Sequence, residues 1–238
     1  MGFTKLVEAA EQDGPQLARL QNVLRSLSET LCNDPSTGSR FSYFSDCIVI
    51  TADATPQALV DLFQEIHTVT GNLLQEDVFV RGAITKGWAF HDDRYVYGTA
   101  VSRAVRLEQN VAVSPRTMLS SEVSEYVQAN VPGLGNWVEH DRDGQHFIHY
   151  LLGFAVYHAQ PKLPGTVVLD TDAARIRFNI SRRLLNSSGS VLEKAKWFQE
   201  YWNRTVAASD GFPPIEADVS LSEPDGPKTY IARRLVAG

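Results

Sequence analysis

The sequence predicts an α/β (α+β) fold: a mixed sheet with helices on one side and a helical extension at the C-terminal end. Three observations carry this. Leu6, Val7, Ala10, Leu17, Leu20, Leu24, Leu27 and Leu31 recur mostly three or four residues apart, the spacing of one helix face. Two short apolar runs flank Asp46 within Arg40 to Thr51 and form a strand hairpin. Beyond it, strand-like and helix-like stretches alternate as far as Leu152, the order that lays helices on a sheet.

Taken in order, the first helix spans Thr4 to Leu31 with an interruption at Gly14-Pro15. The polar loop Asn33 to Ser39 ends it. After the hairpin, Thr55 is an N-cap with Pro56 at the first helical position, opening a helix to about Val69. Asp77 to Thr85 reads as a strand. Gly98 to Gln109 is helical, with Val101, Val105 and Leu107 on one side and Ser102, Arg103 and Arg106 on another, and Asn110 closes it. Val111 to Val113 is expected to be a short strand, Ser114-Pro115 to open another helix, and Trp137 to Leu152 to form a hairpin turning at Asp143-Gly144. From Leu169 onward the pattern is helical, through Ala174 to Leu185 and Val191 to Thr205, with Trp197, Tyr201 and Trp202 as packing anchors. The polar, Pro/Gly-rich tail from Asp210 is expected to be loose. Residues 1–160 thus read as one domain and 161–238 as a helical extension with its tail.

A chain of 238 residues, 43% hydrophobic and 21% charged, can bury a full core. Its net charge of -6 argues against nonspecific nucleic-acid binding, which needs a basic face to release phosphate counterions. An anionic small substrate stays open, because Arg81, Lys86, Arg94, Arg103 and Arg106 gather in one stretch; the same stretch also suits a solvated charged face. Cys32 and Cys47 make neither a disulfide framework nor a zinc pattern, fall in segments that read as partly buried, and point to a reducing cytoplasm. No apolar stretch approaches the roughly 20 residues of a membrane span, and the Met-Gly-Phe-Thr start has no signal-peptide pattern, so no membrane partner is expected.

Asp46 stands out chemically. A buried, unpaired carboxylate is costly, so at the centre of a hairpin it calls for a metal, a donor or a cation. Four motifs then fall in register: Gly2-Phe3-Thr4 at the start of the first helix, Phe44-Ser45-Asp46 on the hairpin, Arg81-Gly82-Ala83-Ile84-Thr85-Lys86-Gly87 on a strand, and the helix Gly98-Thr99-Ala100-Val101-Ser102-Arg103-Ala104-Val105-Arg106-Leu107. In this order they resemble the class III nucleotidyl cyclase family, over residues 2 to about 152, and most closely its Pycsar branch of antiphage pyrimidine cyclases. The hairpin, the Arg81 strand and the Lys194 to Asn203 helix are similar to that branch more than to adenylyl or guanylyl cyclases.

The resemblance implies a homodimer with two sites at its interface. It would convert UTP or CTP to 3',5'-cyclic UMP or cyclic CMP plus pyrophosphate, as a second messenger in bacterial antiphage defence. Two divalent ions, Mg²⁺ or Mn²⁺, would acidify the ribose 3'-hydroxyl and neutralise the phosphates, with Asp46 as a metal ligand. The free N–H groups of Gly2, Phe3 and Thr4 at the helix start would cradle the outer phosphates; Thr4 as a plain N-cap is compatible with that. Arg106 matches the catalytic arginine that offsets transition-state charge from across the dimer interface. Ser102 stands where most of the family carries an asparagine that orients the ribose. Arg142 either replaces a phosphate-binding lysine or is a surface arginine. At the two purine-reading positions this chain has Ser42 and Tyr95, so Tyr43, Arg40 and Tyr95 become candidates to stack on or hydrogen-bond a pyrimidine; Tyr43 as a core aromatic is equally open.

One feature of the family has no counterpart. Its first metal aspartate ends a strand lying inside the sheet, between the hairpin and the Arg81 strand, and that aspartate would fall two places before Met1. Removing an interior strand leaves two ladder edges unsatisfied, so the working protein is expected to begin upstream. The alternatives are a purine-specific class III cyclase and a degenerate domain that binds nucleotide without turnover, which the missing aspartate and Ser102 both favour.

Overall fold

A computed structural model describes residues 3–11, 13–31, 33–44, 47–157, 170–209, 211–225 and 228. The opening helix is two helices, α1 (Phe3–Ala10) and α2 (Gly14–Thr30), parted at Gly14-Pro15, where the proline ring withholds a backbone donor and fits only a first turn. The hairpin follows as β1 (Arg40–Phe44) and β2 (Cys47–Thr51), antiparallel, with Arg40 opposite Thr51 and Phe44 opposite Cys47. Helix α3 (Pro56–Gln75) begins where its capping signal lies, the Thr55 hydroxyl accepting from the Ala58 N–H at 3.2 Å. It outruns Val69 because Leu73 and Leu74 extend its buried face by another turn.

Next come β3 (Gly82–Ile84), a small hairpin of β4 (Phe90–His91) and β5 (Val96–Tyr97), and α4 (Thr99–Asn110). Val111 to Val113 is not a strand. The Ala112 N–H is taken by Leu107 as α4 ends, Val113 lies exposed, and the strand is β6 (Thr117–Leu119), fully buried. Ser114-Pro115 opens no helix either: the Pro115 carbonyl is held by the Tyr150 hydroxyl at 2.8 Å, and α5 (Ser121–Asn130) starts later. The expected hairpin is β7 (Val138–His140) and β8 (His146–Ile148), followed by α6 (Leu152–Val156), α7 (Asp170–Asn186) and α8 (Gly189–Thr205).

The main sheet runs in the order β3-β6-β8-β7, with β3 and β6 parallel and the remaining pairs antiparallel. Its side chains alternate between two cores, as the pleat requires. Met118 and Phe147 meet Ile176, Ile180, Phe198, Tyr201 and Trp202 from α7 and α8. Leu119 and Ile148 meet Phe63 of α3 and Val123 and Val127 of α5. Helices therefore cover both faces rather than one, because α7 and α8 bring an apolar face of their own to the second side. The tail is not loose over its described part: Phe212 and Ile215 are buried beside Trp202, and the Ile215 N–H donates to Asn203 Oδ1 at 2.8 Å. On the same side, buried Arg116 pairs with Asp141 and Asp143, while Trp197 Nε1 donates to Asp141 at 2.7 Å, tying the β7–β8 turn to α8. Arg116 donates to Asp143 and so holds that carboxyl below its ordinary pKa.

Candidate functional site

The two small hairpins are clasped together by His91. Its Nε2 lies 2.8 Å from Ser42 Oγ on β1 and its Nδ1 2.8 Å from Thr51 Oγ1 on β2. Arg40 and Asp93 add an exposed ion pair at 3.6 Å. Burial first, then the charge of Arg40, hold His91 below its ordinary pKa against the opposing pull of Asp92. The neutral imidazole accepts through one nitrogen and donates through the other, matching two hydroxyls that can each do either.

The second hairpin also rests on the start of α4. Gly98 has φ 141°, and a Cβ there would lie 2.5 Å from the Trp88 carbonyl, so only glycine permits the approach. The Ala100 N–H donates to that same carbonyl at 3.1 Å. The hairpin presents an aromatic surface to solvent: Trp88 is 61% exposed and Tyr95 62%, while Tyr97 packs against Trp88 and Phe90 at ring separations of 5.7 and 5.1 Å. Asp92 Oδ1 accepts from the backbone of Arg94 and Tyr95, which fixes the turn carrying Tyr95.

Helix α4 has two sides. Val101, Ala104 and Glu108 face a cavity of about 820 Å³ that opens between β2 and the segment running into β3. Ser102 and Arg106, one turn apart, are exposed on the other side. The gathered cations are sorted accordingly. Arg81 pairs with Glu108 at 2.5 Å, Arg103 with Glu122 at 3.1 Å, and Lys86 lies 3.9 Å over the Tyr126 ring. Arg94 and Arg106 have no ionic partner among the described residues.

Of the other expected site residues, Tyr43 is 55% exposed, stacked beside Phe41 at 6.3 Å and lining the cavity, so it is no core aromatic. Phe3 and Thr4 open α1. Gly2, Cys32 and Asp46 lie outside the described residues; Phe44 and Cys47, which flank Ser45-Asp46 in the sequence, are paired in the ladder. Cys47 is exposed, not partly buried. Arg142 is a surface arginine, pairing with Glu200 of α8 at 3.0 Å. Among the described residues no group of three or more His, Cys, Asp or Glu side chains is placed to hold a metal ion. No helix among them is long and apolar enough to cross a membrane.

Sequence reading missed His91, whose partners lie 49 and 40 residues away and leave no local signal. It placed Gly98 at a helix start without the close approach that demands glycine. No family model, no curated protein and no solved structure matches the chain.

Proposed function

We propose that the protein is a pyrimidine nucleotide cyclase acting as a homodimer, converting UTP or CTP to the 3',5'-cyclic monophosphate and pyrophosphate as a second messenger of bacterial antiphage defence. The observation that carries this is Arg106. It faces outward from α4 with no ionic partner among the described residues, while Arg81 and Arg103 in the same stretch are neutralised at home. A guanidinium turned away from its own cavity suits a substrate held by a second copy, where it would offset charge building on the α-phosphate. Ser102, on the same exposed side, would touch the ribose.

The clasp weakens the case for a purine-reading contact. By the resemblance Ser42 stands at a purine-reading position, and its hydroxyl is engaged with His91, which ties it to the second hairpin. That leaves the ring faces of Tyr43 and Tyr95, both exposed, and a stacking surface carries no purine hydrogen-bond pattern. The first N–H groups of a helix have no partner within it, and those at the start of α1, including Phe3 and Thr4, suit the outer phosphates. Mg²⁺ or Mn²⁺ held by Asp46 would supply charge neutralisation and a more acidic 3'-hydroxyl.

The test is incubation of the protein with each of the four ribonucleoside triphosphates and Mn²⁺, assaying pyrophosphate and cyclic product. Cyclic UMP or cyclic CMP is expected, lost in Asp46→Ala with an unchanged melting curve. A purine product would shift the reading to the purine-specific alternative, and no product from any nucleotide would leave the degenerate binding domain.

A further inference from the structure

Away from the candidate site, the turn end of the β7–β8 hairpin sets two histidines side by side. His140 on β7 and His146 on β8 are direct register partners. The Asp141 N–H donates to the Gln145 carbonyl at 3.0 Å, and the His149 N–H to the Trp137 carbonyl at 2.8 Å. Hydrogen-bonded and non-hydrogen-bonded pairs alternate along an antiparallel ladder. His140–His146 lies one step from the first bonded pair and three from the second, so it is a non-hydrogen-bonded pair. Such a pair brings its side chains closest, and the two imidazole rings stand edge to face with their centres 4.1 Å apart.

The pair is held on a rigid frame. His146 Nδ1 lies 2.9 Å from the hydroxyl of Ser124, which is buried on α5. Asp141, the next residue after His140, points to the opposite face, toward Arg116 and Trp197. Arg116 also holds Asp143, and Gly144 takes φ 77°, so the turn between the two histidines is fixed by bonds that leave both rings out. His140 is exposed, and its side chain makes no hydrogen bond among the described residues. When His146 Nδ1–H donates to Ser124, its Nε2 keeps a lone pair, and the neutral ring of His140 has one as well.

We propose that His140 and His146 form a two-point site for a late first-row divalent cation, with Zn²⁺ as its representative and water completing the coordination shell. Imidazole nitrogen suits such ions, whereas Mg²⁺ and Mn²⁺ prefer carboxylate, carbonyl and water oxygen, so the site differs in kind from the one Asp46 would make. Two nitrogens at about 2.0–2.1 Å from one tetrahedral ion put their ring centres about 5 Å apart, so the pair must open by about 1 Å. His140, being exposed, has room to swing outward by that much. Ser124 meanwhile holds His146 as the outer-shell partner that orients a metal-bound histidine. Structural zinc sites take four protein ligands; two ligands and water make an ion that exchanges, so the site loads and empties with the free metal level. The bound ion ties the outer strand β7 to β8 and, through Ser124, to α5, and stabilises the folded chain by mass action. The site uses none of the residues of the proposed activity and stands whether or not the chain is a cyclase.

The test is equilibrium dialysis of the metal-free protein against ZnCl₂ at about pH 7.5, where imidazole is neutral, with histidine ring protons followed by NMR. Zinc uptake is expected, with the ring resonances of His140 and His146 shifting together at the same zinc concentration. An equal concentration of Mg²⁺ should move neither. His140→Ala removes an exposed side chain, so the zinc-free melting curve should stay in place while zinc uptake weakens at least about tenfold. His146→Gln should weaken uptake to the same extent. Uptake unchanged in His140→Ala would put the ion elsewhere on the chain and overturn the proposal. So would ring resonances of the pair that stay still while zinc binds, a response to Mg²⁺ equal to that to zinc, or no uptake at millimolar zinc.

Discussion

The two halves of this molecule differ in how completely each is closed. Around β6 and β8 every strand has neighbours, both faces are covered, and Met118, Phe147, Ile148, Phe198, Tyr201 and Trp202 are solvent-free. Around β2 and the approach to β3, Ile48, Val49, Ile50 and Val80 are only half-buried, although their composition is as apolar as any core strand. The first half is held by area and by a buried ion-pair network. The second is held by a smaller cluster, Val23, Leu27, Val69 and Leu73 packed against Ile48, Ile50 and Val80, and by polar clasps, of which the His91 bridge between Ser42 and Thr51 is the clearest. Stability here is therefore uneven along one chain, and the residues expected to bind substrate cluster at the open half, where local opening is least costly.

The sharpest way to break the comparison is to cut a large side chain on each side of it. Trp202→Ala removes a fully buried indole that also donates to the Pro213 carbonyl, and should cost about 3–5 kcal/mol in urea unfolding. Val49→Ala, lining the cavity beside α4, should cost about 1 kcal/mol or less, because the cavity is already there and little contact is lost. Equal penalties in the 238-residue chain would mean that its two halves are equally packed.

Acid should act on the closed half first. Burial lowers His67 to about 4, and burial with the nearby His67 charge lowers His149 to about 4; His149 Nδ1 lies 2.5 Å from the buried Tyr201 hydroxyl. Unfolded histidine titrates near 6.5. Between those values the unfolded chain binds a proton that the folded one refuses, so stability is full above about pH 6.5 and falls as pH drops toward 4. The loss should reach about 2–3 kcal/mol per histidine by pH 4. The Asp143 carboxyl, held below its ordinary value by Arg116, loses its share only at lower pH. Urea midpoints at pH 7.5, 6 and 5 check this, and a flat profile through that window would remove the histidines from the account.

What the sequence made legible follows the same division. The helices were readable because their apolar spacing and their caps are local: Thr55-Pro56 and Gly14-Pro15 fall where α3 and α2 begin. β6 was misread because Val111-Ala112-Val113 looks more strand-like than Thr117-Met118-Leu119, yet burial, which composition does not display, chose the second. The β4–β5 hairpin was invisible, its strands being two residues each and its aromatics exposed. Covering of both sheet faces was missed because it depends on where α7 and α8 dock, a long-range outcome. At the site, the outward side of α4 could be read from helical period alone. The Ser42–His91–Thr51 bridge could not, since it joins three elements with no common local pattern.

Arg106→Ala is the change that should leave both halves untouched. The side chain is exposed and has no ionic partner among the described residues, so its loss should move the urea midpoint by less than about 0.5 kcal/mol. If it offsets charge in a partner's transition state, kcat should still fall on the order of 100-fold or more with the nucleotide KM nearly unchanged, the pattern of an interaction made mainly in the transition state. Mixing this variant with Asp46→Ala sharpens the point. In a shared-site dimer some mixed pairs regain one intact site, so activity should return on mixing two nearly inactive proteins. A raised KM with kcat preserved would make Arg106 a ground-state contact instead. The absence of any recovery on mixing would confine the chemistry to a single chain, and the outward face of α4 would then need another explanation.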